Sequence, residues 1–246
     1  MKTLILALFC FSIHPIYSIG LYKKGDKLYN WNRSGLDLYT GSNNKCEIIA
    51  SLPFETQCTV IDDHLKKSSF EFVEIEPKLK EESEGDNFPG FSISGFWVKI
   101  KTKDGQIGYV FDGYLSKIKP GFKLDKSCFD KEFKLIKSKT SKPNPKKDNA
   151  YSYFYLYKNG ASIQQTGSDY DSHIHYFIPN ISLEEAYLLI KTPDYLDLSK
   201  ASGDEETSIH GNDDELSFSS TLENTTLKKI NTKTKKGVVI ILEAFD

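Results

Sequence analysis

The chain opens, after its first twenty residues, as a series of short runs in which apolar and polar positions alternate. Leu36-Asp37-Leu38-Tyr39 alternates with period two, the spacing of a strand with one buried face. Glu47-Ile48-Ile49-Ala50 and Cys58-Thr59-Val60-Ile61 follow, with a short turn near Pro53 expected to join them. Trp97-Val98-Lys99-Ile100-Lys101 alternates cleanly, Asp104-Gly105 is a hairpin turn signal, and Ile107-Gly108-Tyr109-Val110-Phe111 is the return strand. Several short strands at close spacing predict a small barrel or sandwich. Residues 65–95 interrupt them. Phe70 to Ile75 can pair as an edge ribbon, whereas Lys78 to Asp86 is almost all charge, so the segment reads as a solvated loop inserted between strands. Such an insertion costs little, because loop-closure entropy grows slowly with length.

Residues 137–149 hold two prolines and several lysines and read as an extended linker. A second unit follows over residues 150–246. Tyr151, Tyr153, Tyr155 and Tyr157 recur with period two, and Asn159-Gly160 then offers a tight turn. Ser182 with Glu185 three residues on forms a capping box, after which Leu183, Ala186, Tyr187 and Ile190 recur at helical spacing until Thr192-Pro193-Asp194. Val238 to Leu242 is a continuous apolar run, the pattern of a central strand. The second unit is therefore expected to be a β-rich α+β domain with at least one helix.

A length of 246 residues suits two small domains. Aromatics make up 13% of the chain, nearly all Tyr and Phe, with a single Met; this composition favours sheet over helix. The formal net charge of −2 excludes a general nucleic-acid binder, which needs a basic excess. Lys2, the apolar run Leu4 to Ile13 and the small residue Ser18 have the layout of a secretory signal peptide over residues 1–18. The run is too short and too interrupted, by Pro15, for a bilayer span, and no later stretch is long enough to be a transmembrane segment. Export without the leader leaves Cys46, Cys58 and Cys128, an odd number, so at least one is unpaired. Cys58 reads best as a small buried hydrophobe.

Taken in order, Leu36-Asp37-Leu38-Tyr39-Thr40-Gly41, Ile48 to Leu52, Cys58 to Ile61, Trp97 to Ile100, Gly108-Tyr109-Val110 and Tyr114-Leu115-Ser116 resemble the successive strands of the bacterial SH3-like domain. The likeness spans residues 25–118. Tyr39 stands where that family commonly has Arg, Ser42 where it has Pro, and Tyr109 where it has Trp. The resemblance implies an SH3-like small β-barrel over residues 25–119, giving a mainly β fold overall, with the β-rich unit following. It also implies a targeting or binding module of the bacterial cell envelope, periplasmic or secreted; the alternative is a scaffold in which the barrel packs against residues 150–246 and meets no external ligand. The module's partner would be a peptide, a peptidoglycan stem or another envelope protein.

The search for catalytic chemistry yields little. Cys128 lies in a short charged stretch with no helix-start nucleophile motif around it, and the shifted Ser-x-x-Lys near Ser138 falls in the linker. Asp171, His173 and His175 share one face of a predicted strand and can hold zinc with an open position, which would permit metal-assisted hydrolysis. The plainer alternative is two half-exposed histidines on a strand, since beyond the leader only His64 and His210 are left elsewhere as partners. Asp204, Glu205, Asp213 and Asp214 form an acidic loop without calcium-site spacing. No cofactor motif is present. On the barrel, Trp97 shares a face with Lys99 opposite Val98 and Ile100, and Tyr109 opposes Val110. Tyr39, Trp97, Tyr109 and Tyr114 are the candidate ligand-binding rings, because exposed aromatics stack on sugars and prolines; the equal alternative is that Trp97 and Tyr109 simply cover the small barrel and the inserted loop.

Overall fold

Each alternating run finds a backbone partner in a neighbouring run, and the molecule is mainly β, with two α-helices among the described residues. The structure is a computed structural model that describes residues 22–63, 70–75, 90–191, 208–212, 214–219 and 223–245. The leader reading, His64, the charged run Lys78 to Asp86, the helix stop at Thr192-Pro193-Asp194, and Asp204, Glu205 and Asp213 lie outside the described residues.

The first half contributes β1 (Lys27–Asn30), β2 (Leu36–Tyr39), β3 (Ile48–Leu52), β4 (Gln57–Asp62), β5 (Phe70–Ile75), β6 (Phe91–Gly95), β7 (Trp97–Thr102), β8 (Ile107–Phe111) and β9 (Leu115–Ser116). Seven of these form an antiparallel sheet in the order β3-β2-β8-β7-β4-β1-β9, and β5 and β6 form a separate ribbon. The predicted turn near Pro53 connects β3 to β4, but the two do not pair; β4 lies between β1 and β7. Gly105, at φ +91, makes the β7–β8 turn that the sequence signals.

The seven-strand ladder does not close among the described residues: β3 and β9 are its two edges. The sheet nevertheless curls, since Leu52 from one edge and Leu115 from the other join a single buried cluster with Leu28, Leu38, Val60 and Val98. Two-residue β9 has little backbone with which to complete a ring. A side chain bridges the gap instead. Asn30, fully buried in β1, donates from Nδ2 to the carbonyls of Leu52 at 2.8 Å and Pro53 at 3.1 Å. It accepts the Asn32 N–H at 2.8 Å on Oδ1.

The second half begins with α1 (Lys126–Glu132), capped by Asp125, which accepts the Cys128 N–H at 2.7 Å. It continues with β10 (Leu135–Asn144), β11 (Ala150–Tyr157), β12 (Ser162–Gly167), β13 (Asp171–Pro179), α2 (Leu183–Ile190), β14 (Ser208–Asn212), β15 (Glu215–Ser219), β16 (Glu223–Asn231) and β17 (Lys236–Phe245). The eight strands form one antiparallel sheet, β10-β11-β12-β13-β17-β16-β15-β14. The capping box at Ser182 and Glu185 starts α2 as the sequence predicts, and β17 is a central strand between β13 and β16. Gly237 is required there: a Cβ would lie 2.3 Å from the Ile178 carbonyl on the paired strand.

The linker expectation is corrected. Residues 137–144 complete β10, and Pro145–Lys147 make a 3-10 turn. All ten residues of β10 are exposed, so the polar composition does forbid a core. An edge strand needs only a backbone partner, however, and β11 supplies one. Pro143 is tolerated because it falls in the register shift between Ser141 and Asn144 on an outer edge.

The two halves are not separate bodies of packing. One apolar cluster runs from Trp31, Ile93, Trp97 and Phe111 of the first half into Phe129, Tyr157, Tyr187, Leu227 and Ile240 of the second. The β5–β6 ribbon and α2 form the join, with the Phe91 ring tilted against Tyr187 at 4.8 Å between centres. The inserted segment is thus only partly the solvated loop expected from the sequence. Its described strands turn Ile93 fully inward.

Candidate functional site

The four expected ring residues fall into three environments. Tyr39 and Tyr109 pair across β2 and β8 and lie side by side on the outer face of the first sheet, half-buried. The Lys99 ammonium stands 5.4 Å from the Tyr109 ring centre. Trp97 shares that face and meets Tyr39 edge-on at 5.2 Å, but it is only 4% exposed. The reason is the ribbon: Phe70 packs 6.0 Å from Trp97, and Phe72 lies 4.8 Å from Phe111. Trp97 is therefore a core residue and not a free binding ring. Tyr114 is drawn elsewhere. Its hydroxyl donates to Glu74 Oε1 at 2.6 Å, while Glu74 Oε2 accepts from Lys191 on the exit of α2. Burial, with the neighbouring Glu74 carboxylate, pushes the Tyr114 hydroxyl well above its ordinary range. The expectation that all four rings form one outward surface is corrected accordingly.

Asp171, His173 and His175 do share one face of β13, as their spacing requires. The structure adds a residue that spacing within one strand cannot reveal. Glu243, opposite His173 on β17, accepts from His173 Nδ1 at 3.0 Å, and Asp171 Oδ2 lies 3.3 Å from Nε2. Both ring nitrogens are engaged, leaving no lone pair turned toward a metal. The Glu243 bond, and then the Asp171 bond, raise the His173 pKa and favour imidazolium. His175 is exposed, with no place in this chain of contacts. Among the described residues no group of three or more His, Cys, Asp or Glu has metal-binding geometry. Asp214, the described member of the acidic loop's candidates, is paired with Lys229 at 3.1 Å.

The three described cysteines are free thiols. Cys58 is the buried hydrophobe that its sequence context suggests, and burial pushes its pKa up to about 12.

A different place concentrates recognition chemistry. A cleft of about 550 Å³ opens at the seam between the two sheets, within the size range of small-ligand sites. Its apolar floor is Ile118, Phe133, Ile178, Pro179 and Ile181; its polar rim carries Lys23, Lys117, Glu132, Asn159 and Asn180. Chain geometry assembles it locally. Asn180 adopts φ +60 between β13 and α2, turning the chain so that the helix start faces the cleft. Lys117 Nζ is held 2.8 Å from Asp26, and the Lys23 N–H donates to the same carboxylate at 2.8 Å.

Glu185 and Tyr22 form the inner wall. Glu185 is 5% exposed. Burial raises its pKa to about 7, against the opposing pull of hydrogen bonds from Ser116 and Tyr22 and from the Ser182 N–H, the last at 3.2 Å. The Tyr22 hydroxyl oxygen also lies within hydrogen-bonding reach of the Leu115 carbonyl. The capping-box pattern marks Glu185 from sequence as a helix cap, but its burial at a cleft is tertiary information. Tyr22 and Lys117 carry no sequence signal at all. Among the described residues lining the cleft there is no His, Cys or Ser. No protein-family model, curated protein or solved structure matches the chain.

Proposed function

We propose that the chain is a non-catalytic binding module of the bacterial cell envelope, and that it takes a short peptide of the peptidoglycan-stem class in the seam cleft. The address rests on the leader-like residues 1–18 and on the likeness of residues 25–118 to bacterial SH3-like domains. The ligand class rests on one observation: cations at Lys23 and Lys117 and carboxyls at Glu132 and Glu185 surround an apolar floor. A stem peptide presents free carboxylates, an amine and short aliphatic side chains. The rim complements both signs, and the floor supplies the apolar contact that orients the ligand. The ligand surface is thereby moved from the ring quartet to the cleft, with Tyr39 and Tyr109 remaining as an open outer ledge.

The test is capture of the purified full chain by purified sacculi at low salt, together with calorimetry on a released disaccharide-peptide fragment. Reversing the rim cations in a Lys23→Glu, Lys117→Glu variant is expected to weaken binding by roughly tenfold or more. Thermal stability should barely change, because the exposed Lys117–Asp26 pair is worth at most about 1 kcal/mol. Failure of the unaltered chain to bind either probe, or equal binding by the variant, overturns the proposal.

A further inference from the structure

We propose that the β10 corner of the eight-stranded sheet docks on an anionic lipid surface. Residues 133–147 contain six lysines and no Asp or Glu, in a chain of net charge −2. The remainder therefore carries −8, and the molecule is strongly polarised toward this strand. Every residue of β10 is exposed. Among the described residues, Lys137, Lys139 and Lys142 have no carboxylate partner, although ion pairs occur at Lys117, Lys126, Lys191, Lys228 and Lys229. Unpaired lysines collected along one edge are the electrostatic footprint of an anionic partner.

The apolar side chains among these lysines select the kind of partner. The register shift between Leu135 and Lys137 leaves Ile136 as an extra, unpaired residue, and its side chain is 57% exposed beside Leu135 at 38%. Lys137 pairs with Leu156 and Lys139 with Phe154, so both lysines stand on the open sheet face next to half-buried apolar groups. Further along the same row, Lys235 lies over the Phe177 ring at 3.7 Å. A phosphate polymer gives Ile136 nothing to contact. A bilayer interface takes up the exposed Ile136 and Leu135 while the neighbouring lysine stems reach along them to the headgroups.

Co-sedimentation with phosphatidylcholine vesicles, with and without phosphatidylglycerol, tests this. The full chain is expected to bind the anionic vesicles at low salt and not the zwitterionic ones. A Lys137→Glu, Lys139→Glu, Lys142→Glu variant should lose roughly a hundredfold in affinity, at about fivefold per lysine. Ile136→Ser, which leaves charge unchanged, should lose severalfold. All four positions are exposed, so melting temperatures serve as the folding control. Binding to both vesicle types alike overturns the proposal. So does Ile136→Ser binding as tightly as the unaltered chain, with linear polyphosphate or duplex DNA preferred over vesicles, since the partner is then a polyanion and not a lipid surface. The Lys23→Glu, Lys117→Glu variant should bind vesicles normally, which keeps the fate of this site separate from that of the cleft.

Discussion

Two buried polar side chains, Glu185 and Tyr187, decide the most readable behaviour of single residues. Glu185 has a folded-state pKa of about 7 against an ordinary 4.5. A group raised in this way contributes stability that is complete below its unfolded value and is lost as the pH rises through the folded one. The loss amounts to about 3 kcal/mol. Glu185→Gln should therefore flatten the urea-denaturation profile between pH 4.5 and about 7; an unchanged slope would refute the assignment. His173, raised by its carboxylate partners, adds stability that also fades as the pH climbs past its elevated pKa. Asp171, lowered first by Ser168 and then by His173, adds stability that fades as the pH falls. Those groups are open to solvent, so screening leaves their share small beside that of Glu185. Tyr187 is fully buried, and its hydroxyl has no hydrogen-bond partner among the described residues. Tyr187→Phe retains the ring contacts with Phe91 and Phe218, so stability should hold or rise by about 1 kcal/mol. A drop of that size would mean that the hydroxyl is bonded after all. The capping box made Glu185 visible in the sequence. Nothing in the sequence marks Asn30 as the bridge across the open sheet, because its partners lie on a turn more than twenty residues away.

Elements with a strong local period were legible, and those defined by their neighbours were not. The Tyr151 to Tyr157 alternation, the Asp104-Gly105 turn and the helix after Ser182 all occur where the pattern places them. β10 escaped notice because an edge strand exposed along its whole length has no apolar period to read. Its backbone pairing gives a direct check. Amides of β10 bonded to β11 should be protected in hydrogen exchange, whereas a linker would exchange at the random-coil rate throughout. The α1 helix was hidden by its charged composition, although Asp125 three residues before Cys128 is a legitimate cap signal. The alternation rule failed at Trp97 in an instructive way. It assigned the correct face of β7, but that face is covered by a ribbon whose place in space the sequence does not show. Trp97→Ala should cost about 3–5 kcal/mol, measured by denaturant unfolding; a loss below about 1 kcal/mol would mean that the ribbon does not hold the ring.

For the whole molecule, the shared apolar cluster outweighs the division into two sheets. Separating the halves near residue 120 would part Phe91 from Tyr187 and divide the shared cluster, with Trp31 and Ile93 on one piece and Tyr187 and Phe129 on the other. The full chain is therefore expected to unfold in one calorimetric transition, and residues 19–120 alone to lack a cooperative melt. Two resolved transitions would contradict this. The resemblance over residues 25–118 suggests a portable module, and the first sheet does enclose a cluster of its own from Leu28 to Leu115, but its ribbon face does not stand alone. Here the Phe70–Phe72 ribbon is committed to the second half through Phe91 and Tyr187. Recombination that grafts one half onto a foreign neighbour should yield insoluble chimaeras unless both flanks of the ribbon travel together. In descent the two halves should change in step, with ring size on one side tracking ring size on the other.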